Sequence, residues 1–388
     1  MRKIYLTIIC LWMIGIADKA VGQVAPSNKV LIVSGGGARG AWGVGVVEHL
    51  IQTSGGYNAV FGTSTGSLTA PLTLLTRDTA RMAFLYTHVT KDSIFNVDPF
   101  KTTETYTNGL PTVTTTMRGG NAVFRLLFGK ESLGETKPLL NLIHHNFTPV
   151  RYDSIKNYYH LHLNVAVTNM VSGHAEIKNS DEYSYSDMCD WIWASANEPI
   201  WMSYLHKDDS VYSDGGTAEV IPVVEGLNYA FQKGMDTVDV IMNDSPQGVA
   251  NNWSSKGSWL NGLERIVEIM PTSIENDDIS IGILMTQLHD VQTSHGGHDA
   301  DNDGPASGKK YDGHSNHIVV LRVYTMPDSI AMHYRDELGF FADAMTILLN
   351  DGRHKTPAPE VYAIDYKSFS SSANYVKKHL KYKMKEYK

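Results

Sequence analysis

An α/β fold built on a parallel sheet is predicted by three observations. Lys29-Val30-Leu31-Ile32-Val33 is an apolar, β-branched run that leads through glycines into Ala41 to Gln52, where apolar residues recur at helical spacing. Tyr57 to Phe61 repeats the arrangement, followed by a Gly-containing turn and an apolar helix from about Ser67 to Leu75. Strand, turn and helix twice in succession form the unit from which parallel sheets are assembled. Composition supplies the third observation: 42% of the 388 residues are hydrophobic, ample for a large core.

The first residues read as an address rather than as fold. Arg2 and Lys3 precede an apolar run from Ile4 to Ala17, and Ala20-Val21-Gly22 offers small residues for cleavage before Gln23. This is the three-part pattern of a secretory signal peptide over residues 1–22, and the run is shorter than the roughly 20 residues that span a bilayer. Export to the periplasm or beyond is therefore expected. Cys10 lies within that run, which leaves Cys189 as the lone thiol of the mature chain and excludes a disulfide framework. Its surroundings, Met188 to Trp193, predict a buried, inert thiol.

Residues 23–28 form a short polar linker before the first strand. Further strands are predicted at Leu161 to Thr168, Thr237 to Met242 and His317 to Tyr324, and helices at Lys137 to His145, Tyr185 to Ala196 and Glu337 to Leu349. Thr90 to Gly134 is rich in Thr and Gly and weakly periodic, so it reads as an insertion. Asp244 to Asn261 and Gln287 to Asn316 are polar with interspersed glycines and read as surface loops.

Two Gly-containing turns carry chemistry. The first, Ser34-Gly35-Gly36-Gly37-Ala38-Arg39-Gly40, satisfies G-x-G-x-x-G between a strand and a helix. A dinucleotide site would also place a carboxylate about 20 positions on. Tyr57 to Gly62 holds none, which argues against that reading. What stands there is Gly62-Thr63-Ser64-Thr65-Gly66, a G-x-S-x-G whose glycines remove the Cβ atoms that would clash around a sharply turned serine. The glycines at 35–37 then acquire a second meaning, because their N–H groups can converge on one developing negative charge. Gly36 and Gly37 are the favoured donors, and Arg39 is expected to anchor the turn rather than bind a head group.

A nucleophile needs a base, and Val211-Tyr212-Ser213-Asp214-Gly215-Gly216 places a carboxylate before two glycines. The three motifs in this order resemble the patatin-like phospholipases. Trp193 to Pro199 is similar to the A-S-x-x-x-P stretch that precedes that family's D-G-[GA], Asn164 to Thr168 followed by Gly173 looks like its strand and turn, and Pro222 falls where a proline commonly follows. The likeness covers roughly Lys29 to Pro222.

The resemblance implies a three-layer α/β/α fold with a largely parallel central sheet. It places the catalytic domain at 29–355, with insertions near 90–134 and 287–316, and an extension at 356–388. It also implies a phospholipase A or lysophospholipase type of lipid acyl hydrolase. Ser64 is then the nucleophile, Asp214 the general base and Gly35, Gly36 and Gly37 the oxyanion hole. Arg39, Gly40, Gly62, Gly66, Gly215 and Gly216 support these motifs. Chain order also admits a Ser-Asp-His triad through His289, His295, His298, His314 or His317, though no spacing singles one out. A small-ester or thioester hydrolase, or a binding protein that holds anions on the Gly-rich turn, are the alternatives. Thr65, where alanine is common, and the polar Asn197-Glu198 depart from the family pattern.

No cofactor or metal is expected. Asp299-Ala300-Asp301-Asn302-Asp303-Gly304 opens like a calcium loop, but Lys310 occupies the position of the bidentate Glu, which excludes an EF-hand. Asp299, Asp301 and Asp303 stay candidates only for a looser site. The balance of 33 basic against 41 acidic residues, a net charge of −8, argues against nucleic acid as a partner. A lipid or phospholipid substrate is expected instead. The last twelve residues carry Lys377, Lys378, Lys381, Lys383, Lys385 and Lys388 between tyrosines, a basic patch suited to anionic head groups.

Overall fold

The strand β1 (Lys29–Val33) is buried along its whole length. Its period of two sends Leu31 and Val33 into one hydrophobic cluster and Val30 and Ile32 into another. A strand buried on both faces needs a covering layer on each side. The computed structural model describes residues 28–107, 110–118, 120, 124–125, 127–245, 259–295, 318–334 and 338–363. After β1 come α1 (Gly40–Ser54), β2 (Ala59–Thr63), α2 (Thr65–Leu74), α3 (Thr79–His88) and α4 (Lys91–Ile94). A hairpin of β3 (Phe100–Thr107) and β4 (Leu110–Met117) follows, then α5 (Lys137–Asn146), α6 (Pro149–Asp153), β5 (His162–Asn169) and β6 (His174–Asn179). Next are α7 (Tyr185–Ser195), β7 (Leu205–Lys207), β8 (Ser210–Asp214), α8 (Val223–Lys233) and β9 (Thr237–Met242). The chain closes with α9 (Trp259–His295), β10 (Val320–Thr325), α10 (Asp328–His333), α11 (Ala342–His354) and β11 (Glu360–Tyr362).

Among the described residues nine strands form one sheet, in the order β11-β10-β9-β1-β2-β5-β8-β7, with β6 also on β5. β10, β9, β1, β2 and β5 run parallel, and the antiparallel strands lie outside them. One face is covered by α1, α2, α3, α5, α7 and α11, which bury Trp42, Ala70, Met82, Ile143, Trp191 and Met345 against it. On the other face α8 contributes Leu227, and α9 packs Ile274, Ile279 and Ile283 on the second cluster. The mixed α/β architecture with a mostly parallel central sheet is thus the expected one.

Several elements differ from the sequence reading. The second strand runs two residues later than expected, and Tyr57 instead sends its hydroxyl to the buried Asp239 carboxylate at 2.9 Å. Within Thr90 to Gly134 the Thr-rich runs form the β3–β4 hairpin, because alternating threonines are β-branched as well as polar. Tyr106 ties that hairpin to Asp343, and His333 contacts the Pro111 carbonyl. Gln287 to His295, read as loop, belongs to α9. β11, from the segment read as an extension, pairs with β10 and forms the sheet edge. The predicted export signal, Asp299, Asp301 and Asp303, His298, His314 and His317, and the Lys-rich end lie outside the described residues. No described helix is long and apolar enough to cross a membrane.

Candidate active site

β5 brings the two predicted catalytic residues together. It pairs with β2 as far as Ala166 opposite Thr63, and with β8 from Val167 opposite Asp214. β6 occupies the opposite edge across the same residues, so β2 and β8 share one edge of β5, end to end. Ser64, the residue after Thr63, and Asp214, the last of β8, therefore meet at the carboxyl ends of the parallel strands. The turn after β1 reaches the same place, since β1 lies between β2 and β9. Ligands of open parallel sheets bind at this edge, where chain order diverges to either side.

Ser64 holds a backbone conformation that side chains rarely adopt, φ 54° and ψ −121°, as it caps α2. Such strain costs about 1–3 kcal/mol and persists only where the surroundings fix it. Ser64 N–H donates to Ser195 Oγ at 2.9 Å, and its carbonyl accepts from Ser67 N–H at 2.9 Å and Ser67 Oγ at 2.6 Å. Gly66 admits no side chain, because a Cβ there would lie 2.9 Å from the Ser34 carbonyl oxygen. Thr65, one of the departures from the family pattern, bonds the Tyr86 hydroxyl, whose pKa burial raises.

The Gly-rich turn is fixed from behind. Asn243, fully buried at the end of β9, donates its N–H to Ser34 Oγ at 2.9 Å and its Nδ2 to the Ser34 carbonyl at 3.0 Å. Gly36 has φ 131°, and a Cβ there would stand 2.9 Å from Asn243 Cβ. Gly35 N–H is directed to the Val220 carbonyl at 3.3 Å, whereas the Gly36 and Gly37 N–H groups meet no acceptor among the described residues. Arg39 bridges to Asp244 at 3.0 Å, with side chains 4% and 10% exposed. That is the anchoring arrangement. Asn243 and Asp244 were missed in the sequence because Asp244 opens a polar stretch that reads as loop; the end of a predicted strand next to it was the signal.

Asp214 is 7% exposed. Its N–H donates to the Asn197 carbonyl at 2.8 Å, and its Oδ1 accepts from Gly216 N–H at 2.7 Å. The polar Asn197 is thus accounted for: its carbonyl holds Asp214 and its side chain accepts from Thr136. Below lies a carboxyl group of three. Burial and the neighbouring Glu225 push the Glu219 carboxyl well up. Asp278, which accepts from Ile221 N–H at 3.0 Å, is raised by burial to about 7. Asp278 therefore clamps the Val220–Ile221 backbone, whose Val220 carbonyl meets the Gly-rich turn.

Ser64, Asp214 and Gly35 to Gly37 line one cavity of about 460 Å³. Away from this polar end its walls are apolar, from Leu68, Leu72, Met82, Leu139, Ile143 and Phe147 among others. Among the described residues no histidine lines it, and His289 stacks instead on Phe231 at 3.9 Å. No group of His, Cys, Asp and Glu among them is arranged to hold a metal ion. Cys189 is buried away from the cavity, its thiol pushed up to about 12 by burial.

The patatin-like phospholipase family model matches residues 31–227. Among solved structures the chain is similar to VipD from Legionella pneumophila, with 12% identity and a TM-score of 0.36 over 89% of this chain and 70% of that one. No curated protein sequence matches it.

Proposed function

Since the chain belongs to the patatin-like phospholipases, a family of lipid acyl hydrolases, we propose that it cleaves carboxylic esters of lipids through Ser64 and Asp214. One observation carries this reading: a strained serine and a buried carboxylate line the polar end of one otherwise apolar cavity. Asp214 takes the Ser64 hydroxyl proton as Oγ bonds to the ester carbonyl carbon. The negative charge that forms on the carbonyl oxygen faces the Gly36 and Gly37 N–H groups, each such donor being worth about 3–4 kcal/mol. Collapse breaks the carbon–oxygen bond to the leaving alcohol, which receives the proton from Asp214, and leaves Ser64 acylated. Water, giving its proton to Asp214, attacks the acyl carbonyl; Ser64 takes that proton back as the fatty acid departs.

Labelling with a fluorophosphonate probe tests the nucleophile. The wild type is expected to take one label, on the peptide that contains Ser64, and Ser64→Ala none. A wild type without label, or equal labelling of Ser64→Ala, defeats the reading.

A further inference from the structure

The mouth of the cavity is apolar on its outside as well. Met170, Ile200 and Met270 line the cavity and are also substantially exposed, and they come from three separate parts of the chain. Ile200 is a β-branched residue held at φ 74°, a conformation such side chains almost never adopt. Its backbone is pinned there, with its N–H donated to the Tyr204 hydroxyl at 2.9 Å and its carbonyl accepting Leu133 N–H at 2.8 Å. Strain of this kind is retained where it displays a side chain that is used.

Around the rim the apolar character continues outward. Val171, next to Met170, is 71% exposed, and Leu127 and Phe128 are 78% and 65% exposed. The Leu127 segment is bound to the mouth, because Arg125 Nε donates to the Ser132 carbonyl at 2.8 Å and the following residue, Leu133, holds Ile200. Phe128 packs on the exposed Phe124 with ring centroids 4.2 Å apart and the rings tilted by 35°. Exposed apolar side chains on segments that border a cavity mouth mark a contact surface. Here the surface is continuous with the apolar wall that leads to Ser64.

The geometry points to a bilayer-docking surface formed by Leu127, Phe128 and Val171 around the Met170–Ile200–Met270 mouth. It seats the protein on the apolar margin of a lipid membrane, so that a lipid ester passes from bilayer to cavity without crossing water. The inference rests on the lipid-ester reading of the cavity. It selects an apolar membrane interface over a protein partner because the surface opens directly into a pocket walled by aliphatic side chains.

The test uses the full chain and the variant Leu127→Ser/Phe128→Ser/Val171→Ser, whose positions lie outside the cavity lining. Vesicles of dialkyl-ether phosphatidylcholine, which contain no carboxylic ester, report binding apart from turnover. Flotation should show affinity reduced by at least about tenfold, because burying one such side chain in an apolar phase is alone worth that factor. Turnover of phosphatidylcholine vesicles should fall in parallel, while turnover of a water-soluble short-chain ester stays within twofold. Wild-type binding should persist in high salt, unlike contact through a lysine-rich segment. Equal binding by variant and wild type, or no wild-type binding to these vesicles, overturns the docking surface. Loss of soluble-ester turnover in the wild type would overturn the hydrolase reading instead.

Discussion

Arg39→Ala separates anchoring of the Gly-rich turn from recognition of substrate. The substitution leaves Asp244 90% buried opposite an empty space, with Ser245 N–H at 2.7 Å and Thr272 Oγ1 at 3.4 Å as the remaining partners of its carboxylate among the described residues. Breaking a buried ion pair from one side costs about 3–5 kcal/mol. For a chain of 388 residues the unfolding entropy converts this at roughly 1.2 °C per kcal/mol, so the melting temperature falls by about 4–6 °C. Arg39 is the last residue of the short helical turn begun by Gly37, so the loss also loosens the backbone that carries the Gly36 and Gly37 N–H groups. A misaligned oxyanion donor costs about 10²–10³ in kcat. The assay is steady-state hydrolysis of an uncharged short-chain ester beside thermal melting. Anchoring predicts a large fall in kcat with KM within about threefold, and recovery of most of the stability when Asp244→Asn is added. A KM increase confined to substrates with charged head groups, with kcat preserved, would refute it and make Arg39 a ligand for the head group.

Three further outcomes follow from the packing. Gly66→Ala sets a Cβ against the backbone at the end of β1, where no side chain can swing aside, so stability should fall by about 1–3 kcal/mol and turnover with it; circular-dichroism melts and ester turnover check this. Asp278, raised from 3.8 to about 7 by burial, with Glu225 and Asp277 adding to the rise, binds its proton more tightly folded than unfolded. Stability must then decline as pH rises from about 4 through 7, and in Asp278→Asn the decline over that window should be shallower, as melts at successive pH values will read. Arg322→Ala strips the buried Asp239 of two hydrogen bonds at 2.6 and 2.7 Å and leaves Tyr57 as its hydrogen-bond partner among the described residues, so denaturant unfolding should show a loss of about 3–5 kcal/mol.

The parallel core was legible because strands buried on both faces are written as continuous apolar runs, as in Lys29–Val33 and Thr237–Met242. G-x-S-x-G was legible because Gly62 and Gly66 sit where the approach of two backbones excludes a Cβ, and the Gly-rich turn because Gly36 holds φ 131° against Asn243 and Gly40 packs on the Thr65 side chain. The pairing of Ser64 with Asp214 was available only through resemblance: it depends on β5 carrying two strands end to end on one edge, a register no local pattern encodes. The supports of the site were hidden for a related reason. Asn243 and Asp244 reach the Gly-rich turn from the end of β9, by two hydrogen bonds to Ser34 and an ion pair to Arg39, and each looks locally like an ordinary polar residue. The β3–β4 hairpin was missed because threonine counts as polar while packing as a β-branched residue.

Asp214→Asn tests the central claim most directly, because asparagine keeps the shape and the acceptor for Gly216 N–H but cannot take a proton from Ser64. Turnover of a soluble carboxylic ester should fall by about 10²–10⁴ while the melting temperature stays close to that of the wild type. Full turnover in a folded Asp214→Asn variant would contradict the Ser64–Asp214 pair and move the proton acceptor elsewhere.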